Sequence, residues 1–396
     1  MVPASFPRQL SRMDQVQTPI IPVVADLIRQ NPGTLSLGQG IVHYGPPPSI
    51  TAAIAEGMAQ PHSHRYQAVT GIPPLVAAIE AKLAQDNGIP RDDRRAIVVT
   101  AGSNMAFMNA VLAITEPGDE IILQTPYYFN HEMAITMASC RPVLVPTDNQ
   151  YQLQLGAIEA AITPRTRAIV TISPNNPTGA VYPEADLRAV NQLCRDRGIY
   201  HISDEAYEYF TYDDRSHVSP ARFPEAIDHT LSLFSLSKSY GFASWRIGYM
   251  AIPRALLEPV RKIQDTILIC PPVVSQYAAL AALNLGSAYC QQFWPDLDRV
   301  RRQWLQALAP WADRCTVAPA HGAFYLFLKL DTPLSPLEVT RRWIEDHRVA
   351  VIPGSAFGAN PEGCALRLAY GVLQGAAAEQ AIDRVVSGLQ AILADP

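Results

Sequence analysis

Lysine is scarce in this sequence. Only four of its 31 basic residues are lysine (Lys82, Lys238, Lys262 and Lys329), and the rest are arginine. Any chemistry that needs a primary amine therefore has few candidates. Paired cysteines are lacking too. Cys140, Cys194, Cys270, Cys290, Cys315 and Cys364 stand far apart, with no Cys-x-x-Cys pair and no histidine at metal spacing. That excludes a zinc or disulfide framework, and scattered free thiols fit a reducing cytoplasm. No run approaches the roughly 18 to 20 apolar residues that span a bilayer. Residues 1–8 carry no apolar core of the kind that drives secretion. Charge is modest, with a net −5 and scattered basic groups, so neither nucleic acid nor an anionic membrane is an expected partner.

What is present suits two packed α/β domains. The chain has 396 residues, 48 % of them hydrophobic, more than one ordinary core needs. Residues 1–48 are rich in proline and polar groups around one amphipathic run at 21–28, and read as an arm that packs on the smaller domain. Residues 49–285 alternate short apolar runs with helical periodicity, which implies βαβ units and a mainly parallel sheet flanked by helices. Strands are expected at 96–100, 120–124, 142–145, 168–172, 199–203, 230–234 and 248–252. Residues 286–396 read as a smaller α+β domain, opening with a long helix at 287–311 and containing a strand at 349–352. In open α/β sheets ligands bind at the carboxyl ends of strands. Chemistry is therefore sought at Gly102-Ser103-Asn104, Asn175-Asn176-Pro177-Thr178-Gly179 and Asp204-Glu205.

Ser235-Leu236-Ser237-Lys238 follows a buried-looking strand. A lysine there is either desolvated, with a lowered pKa and an amine ready to condense with an aldehyde, or it snorkels to solvent. Arg246, eight residues on, and the backbone amides that open the helix after Gly102 are suited to a phosphate. Asp204 ends a strand, where a carboxylate is costly without a cation. The protonated ring nitrogen of pyridoxal phosphate is such a cation; the plainer alternative is a helix N-cap.

Four segments (Asn175-Asn176-Pro177-Thr178-Gly179, Asp204-Glu205-Ala206-Tyr207, Ser235-Leu236-Ser237-Lys238 and Trp245-Arg246-Ile247-Gly248) occur in the order and spacing of the class I/II aminotransferases. The chain resembles that family of fold-type-I pyridoxal-phosphate enzymes from Leu37 to Leu368. The resemblance implies that Lys238 forms the internal aldimine with pyridoxal 5′-phosphate and shuttles the proton. It implies that Asp204 pairs with the ring nitrogen, while Tyr207 and Asn176 bind the phenolic oxygen. Ser235, Arg246 and the amides of Gly102, Ser103 and Asn104 hold the phosphate, and Tyr128 stacks on the ring. Tyr66 matches a tyrosine that reaches the neighbouring subunit's phosphate, which makes a homodimer the expected assembly. Arg367 takes the substrate α-carboxylate, and Gly40 lets backbone approach the substrate.

Departures narrow the reading. Gly40 is followed by Ile41-Val42-His43-Tyr44 where family members often carry Glu-Pro-Asp or Phe-Pro-Asp; His43 reads as a loop residue. Ser244 stands where a glycine is usual. Asn104 replaces a lysine that meets the distal carboxylate in some aspartate enzymes, so neutral or aromatic amino acids are the expected donors, with 2-oxo acids as acceptors. A C–S β-lyase and an aspartate aminotransferase are the alternatives. A regulator on the same fold would need a DNA-binding module, for which the chain has no room.

Overall fold

A computed structural model describes residues 11–359 and 363–393, so residues 1–8, weighed above, lie outside the described residues. The strands are β1 (Leu35–Ser36), β2 (Arg95–Thr100), β3 (Glu120–Thr125), β4 (Arg141–Pro146), β5 (Thr166–Ile172), β6 (Tyr200–Asp204), β7 (Thr230–Ser235), β8 (Gly248–Pro253), β9 (Cys315–Val317), β10 (Tyr325–Leu330), β11 (Val349–Ala350), β12 (Ile352–Pro353) and β13 (Cys364–Ala369). Seven of them form one sheet in the order β2-β8-β7-β6-β5-β3-β4. It is parallel throughout except for β8, which runs antiparallel to both neighbours. Every residue of β7 and β8 is buried, as expected where helices cover both faces of a sheet.

Side-chain alternation explains the two covers. Ile121, Leu123, Val170, Ile202 and Leu233 pack on one face with Phe107 and Val111 of the helix Ser103–Ile114. Ile122 and Ile169 point the other way, to Leu187 and Val190 of the helix Glu184–Arg197. β4 is one of the two edge strands, which is where Pro142 and Pro146 are tolerated. A second sheet, antiparallel, has the order β12-β13-β10-β9, and β1 of the arm pairs in parallel with β11.

Two expectations need correction. The helix expected at 287–311 is broken into Ala288–Gln291 and Trp294–Leu308. Pro295 lies in the first turn of the second, where its missing N–H costs nothing and a new helix starts. The strand expected at 349–352 splits into β11 and β12, which belong to different sheets.

One of the four lysines is spent on the core. Lys82, in the helix Pro73–Asp86, is buried with its Nζ 2.5 Å from Glu208 Oε2 and 2.7 Å from Asn87 Oδ1. Removing one member of a buried pair strands the other charge. Lys82→Met should therefore cost about 3 to 5 kcal/mol in denaturant unfolding, and Lys82→Met/Glu208→Leu should recover much of it. A single variant as stable as the parent would contradict the pairing.

Candidate active site

The carboxyl ends of β2, β3, β5, β6 and β7 share one edge of the large sheet with the start of β8, at Thr100, Thr125, Ile172, Asp204, Ser235 and Gly248. A cleft of about 490 Å³ opens there. Its walls include Gly40, Ser103, Asn104, Tyr128, Asn176, Asp204, Tyr207, Ser235, Lys238, Arg246 and Arg367. Of the thirteen residues expected at the site, eleven thus line one cavity. Gly102 sits directly behind it, and Tyr66 stands apart.

Lys238 is the lysine of this cleft. It lies in the short helix Leu236–Ser239, capped by Ser235, whose Oγ accepts from the Ser237 amide at 3.2 Å. Burial is the main influence that lowers its pKa, to about 8, with Arg367 and Arg246 adding to the effect and Asp204 opposing it. The amine donates to the Gly40 carbonyl, and the Lys238 carbonyl accepts from Tyr44 Oη at 2.9 Å. The lysine is desolvated and anchored; it does not snorkel.

Gly102 caps the helix Ser103–Ile114 with φ +80, and a Cβ there would lie 2.5 Å from Arg246 Nη2. Only glycine gives both that backbone and that clearance. Arg246, itself at φ +50, is brought against the helix start, so a guanidinium, the Ser235 hydroxyl and the Ser103 amide end converge. That donor set suits a phosphate.

Asp204 ends β6 and caps no helix, because a turn follows it. Oδ1 accepts from the Ala206 amide at 3.2 Å, and Oδ2 lies 3.0 Å from His131 Nε2. A carboxylate only accepts, so the proton of that contact belongs to the imidazole. His131 is buried and stacks on Phe107, with ring centroids 3.9 Å apart. Tyr128 caps the helix Phe129–Met137, and its hydroxyl accepts from Asn130 Nδ2 at 2.8 Å and donates to Asn104 Oδ1 at 3.4 Å.

Arg367 comes from β13. Its Nη1 donates to Asn176 Oδ1 at 2.9 Å and its Nη2 to the Gly38 carbonyl at 2.5 Å, between the rings of Tyr325 and Phe357, each 4.8 Å away. Its Nε is buried without a partner. A buried guanidinium with an unmet donor suits a carboxylate ligand.

Some residues answer differently or were not foreseen. Tyr66 is 81 % exposed and takes no part in the cleft of its own chain. His43 stays a loop residue, its Nδ1 3.2 Å from Gln374 Nε2. His131, Tyr325, Phe357 and Ile21 were missed. His131 had a signal, since three residues after Tyr128 on one helix it shares that residue's face. The others are brought in from remote segments and had none.

Among known proteins, the profile described as "Aminotransferase class I and II" matches residues 32–385. An aromatic aminotransferase of Arabidopsis thaliana is 32 % identical over 384 residues, which is 95 % of this chain and 94 % of that one. An aspartate aminotransferase of Pyrococcus abyssi is 31 % identical, covering 94 % of this chain and 96 % of its own. The crystal structure of the Thermus thermophilus aspartate aminotransferase with maleate superposes with a TM-score of 0.88 at 29 % identity, covering 96 % of this chain and all of that one.

The lowered pKa of this half-buried amine sets a measurable reactivity. Reductive labelling of the cofactor-free protein with a small aldehyde should modify Lys238 with a rate that rises through a midpoint near pH 8 and then levels, instead of near the ordinary 10.5. Below that midpoint the amine is protonated and inert. A rate still climbing without a plateau at pH 10 would refute the desolvated state.

Proposed function

The chain belongs to the class I and II aminotransferases and is a pyridoxal-phosphate-dependent transaminase, and on that premise we propose that it moves an amino group between a neutral or aromatic L-amino acid and a 2-oxo acid. The observation that carries the substrate class is the charge of the cleft wall. Its cations are Lys238, Arg246 and Arg367, each engaged by a role below, and the rest of the wall includes Ile21, Ile41, Phe129, Ile172 and the neutral Asn104. A distal carboxylate would be desolvated there without a partner, a cost that an apolar or aromatic side chain avoids.

The side chains present fit the cofactor: a half-buried lysine with a lowered pKa, a strand-end carboxylate, a glycine cradle against Arg246 and an unmet donor on Arg367. Bound there, pyridoxal phosphate supplies an aldehyde and an electron-withdrawing ring. Lys238 would hold the cofactor through its Nζ and move the proton at the substrate's Cα. Asp204, steadied by His131, keeps a proton on the ring nitrogen. Tyr207 and Asn176 face the phenolic oxygen, Ser235, Arg246 and the amides of Gly102, Ser103 and Asn104 hold the phosphate, and Tyr128 flanks the ring. Arg367 takes the α-carboxylate, and Gly40 leaves room at the substrate.

Further parts of the proposal concern organisation. An arm at 1–48, a large domain at 49–285 and a small domain at 286–396 are supported by the span of the seven-stranded sheet, 95–253, and of the four-stranded sheet, 315–369. A homodimer gives exposed Tyr66 a phosphate to serve in the second copy, and isologous pairs are the commonest symmetric assemblies. A cytoplasmic setting fits six free cysteines.

A stopped-flow half-reaction series tests the substrate class. Methionine, phenylalanine, tyrosine and glutamine should outrun aspartate in kcat/KM; aspartate as the best donor by about tenfold, or ~1.4 kcal/mol, would overturn it. Sedimentation at nanomolar concentration tests the assembly. A dimer is expected, with Tyr66→Phe weakening cofactor binding modestly because the other phosphate contacts remain; a fully active monomer would refute it.

A further inference from the structure

The hydroxyl of Tyr325 stands 2.6 Å from that of Tyr207, with the two rings edge-on and 5.5 Å apart. Tyr325 comes from β10 of the four-stranded sheet, whereas Tyr207 follows β6 of the seven-stranded one. Gly40 makes the approach possible, since a Cβ there would lie 1.9 Å from the Tyr325 oxygen. Two more residues close a ring around the pair. Arg367 lies over the Tyr325 ring and donates to Asn176, and Asn176 donates to the Tyr207 hydroxyl at 3.5 Å.

Counting protons gives the tyrosine contact a direction. A phenol has one O–H to give and lone pairs with which to accept. Once Tyr207 gives its proton to the cofactor's phenolic oxygen, the 2.6 Å contact requires Tyr325 as the donor. Burial raises both phenols, Tyr325 to about 12 and Tyr207 well above its ordinary value, so each hydroxyl keeps its proton near neutral pH and can donate it. The other ionisable groups facing the pair are Tyr128, Asp204, Lys238 and Arg367. A hydroxyl that accepts a bond becomes a stronger donor itself, because linked hydrogen bonds polarise one another.

We propose that Tyr325 is a positioning residue of the transamination: it donates to Tyr207, aims that hydroxyl at the cofactor's phenolic oxygen and strengthens its pull there. The proposal rests on the reading of Tyr207 given above. Through it, a strand of the second sheet tunes the cofactor's electronics whenever that strand is docked on the cleft.

The test follows the visible absorption of the holoenzyme against pH, together with the cofactor dissociation constant. Tyr207→Phe leaves more negative charge on the phenolic oxygen, which steadies the proton on the Lys238 nitrogen, so the spectral midpoint should move upward. Tyr325→Phe keeps the ring contacts and should move it the same way by less, up to about half a pH unit if one bond gains roughly 10–30 % in strength. Cofactor affinity should fall in the same order. The double variant should match Tyr207→Phe alone, because Tyr325 acts only through Tyr207. A Tyr325→Phe midpoint equal to the parent's, or a shift that adds in full to that of Tyr207→Phe, overturns the proposal. No shift in Tyr207→Phe sinks instead the underlying reading of Tyr207, so the two failures are told apart.

Discussion

The cleft depends on keeping one amine out of water. Lys238 sits at the end of β7, whose six residues are all buried, and two guanidiniums share its surroundings. Each of these disfavours the ammonium form, and together they outweigh the one carboxylate nearby, Asp204. The same burial that makes the amine reactive makes every other polar group of the cleft expensive unless it is paired. The surrounding pairs answer that requirement. His131 meets Asp204, Asn176 meets Arg367, and Tyr325 meets Tyr207. Arg367 Nε is left without a partner, so this guanidinium still has bonding capacity to offer a ligand.

That economy ties the chemistry to the fold. The lysine, the aspartate and the asparagine come from neighbouring strand ends or the turns that follow them, where parallel pairing fixes their spacing. Arg367 and Tyr325 come from adjacent antiparallel strands, in the register Phe327↔Arg367 and Tyr325↔Ala369, so both side chains leave the same face of the second sheet. Neither group completes the cleft alone. The polar ring that joins them crosses from one sheet to the other, so docking and catalytic geometry are one event.

How much of this could be read from the sequence follows from how far apart the partners lie along the chain. Motifs at single strand ends were legible, because Ser235 to Lys238 and Asp204 to Tyr207 each place their chemistry within a few residues of a short strand and the turn that ends it. The parallel sheet was legible for the same reason. Partners that meet only after folding were not. Tyr325 lies 118 residues from Tyr207, and before folding it is one aromatic in an apolar strand, where core packing is the ordinary reading. Phe357 and Ile21 are alike in this. The arm's pairing of β1 with β11 was beyond reach as well, since two-residue strands carry no periodicity.

The division of labour also explains why reaction and substrate choice separate in this chain. Residues proposed to act on the cofactor are held by the seven-stranded sheet and its turns, a scaffold with two buried faces that tolerates little change. The apolar part of the wall is assembled from Ile21 in the helix Ile20–Gln30, Ile41 in the following loop and Phe129 at a helix start. Those positions line the cleft without holding the amine, the carboxylate or the phosphate donors. Substitution there alters which side chain is accepted and leaves the reacting groups in place, which is the physical basis on which aromatic and aspartate enzymes can share one architecture. With the wall's three cations given the roles proposed above, selection falls to desolvation, which favours a side chain that gives up little on leaving water over one that carries a second charge.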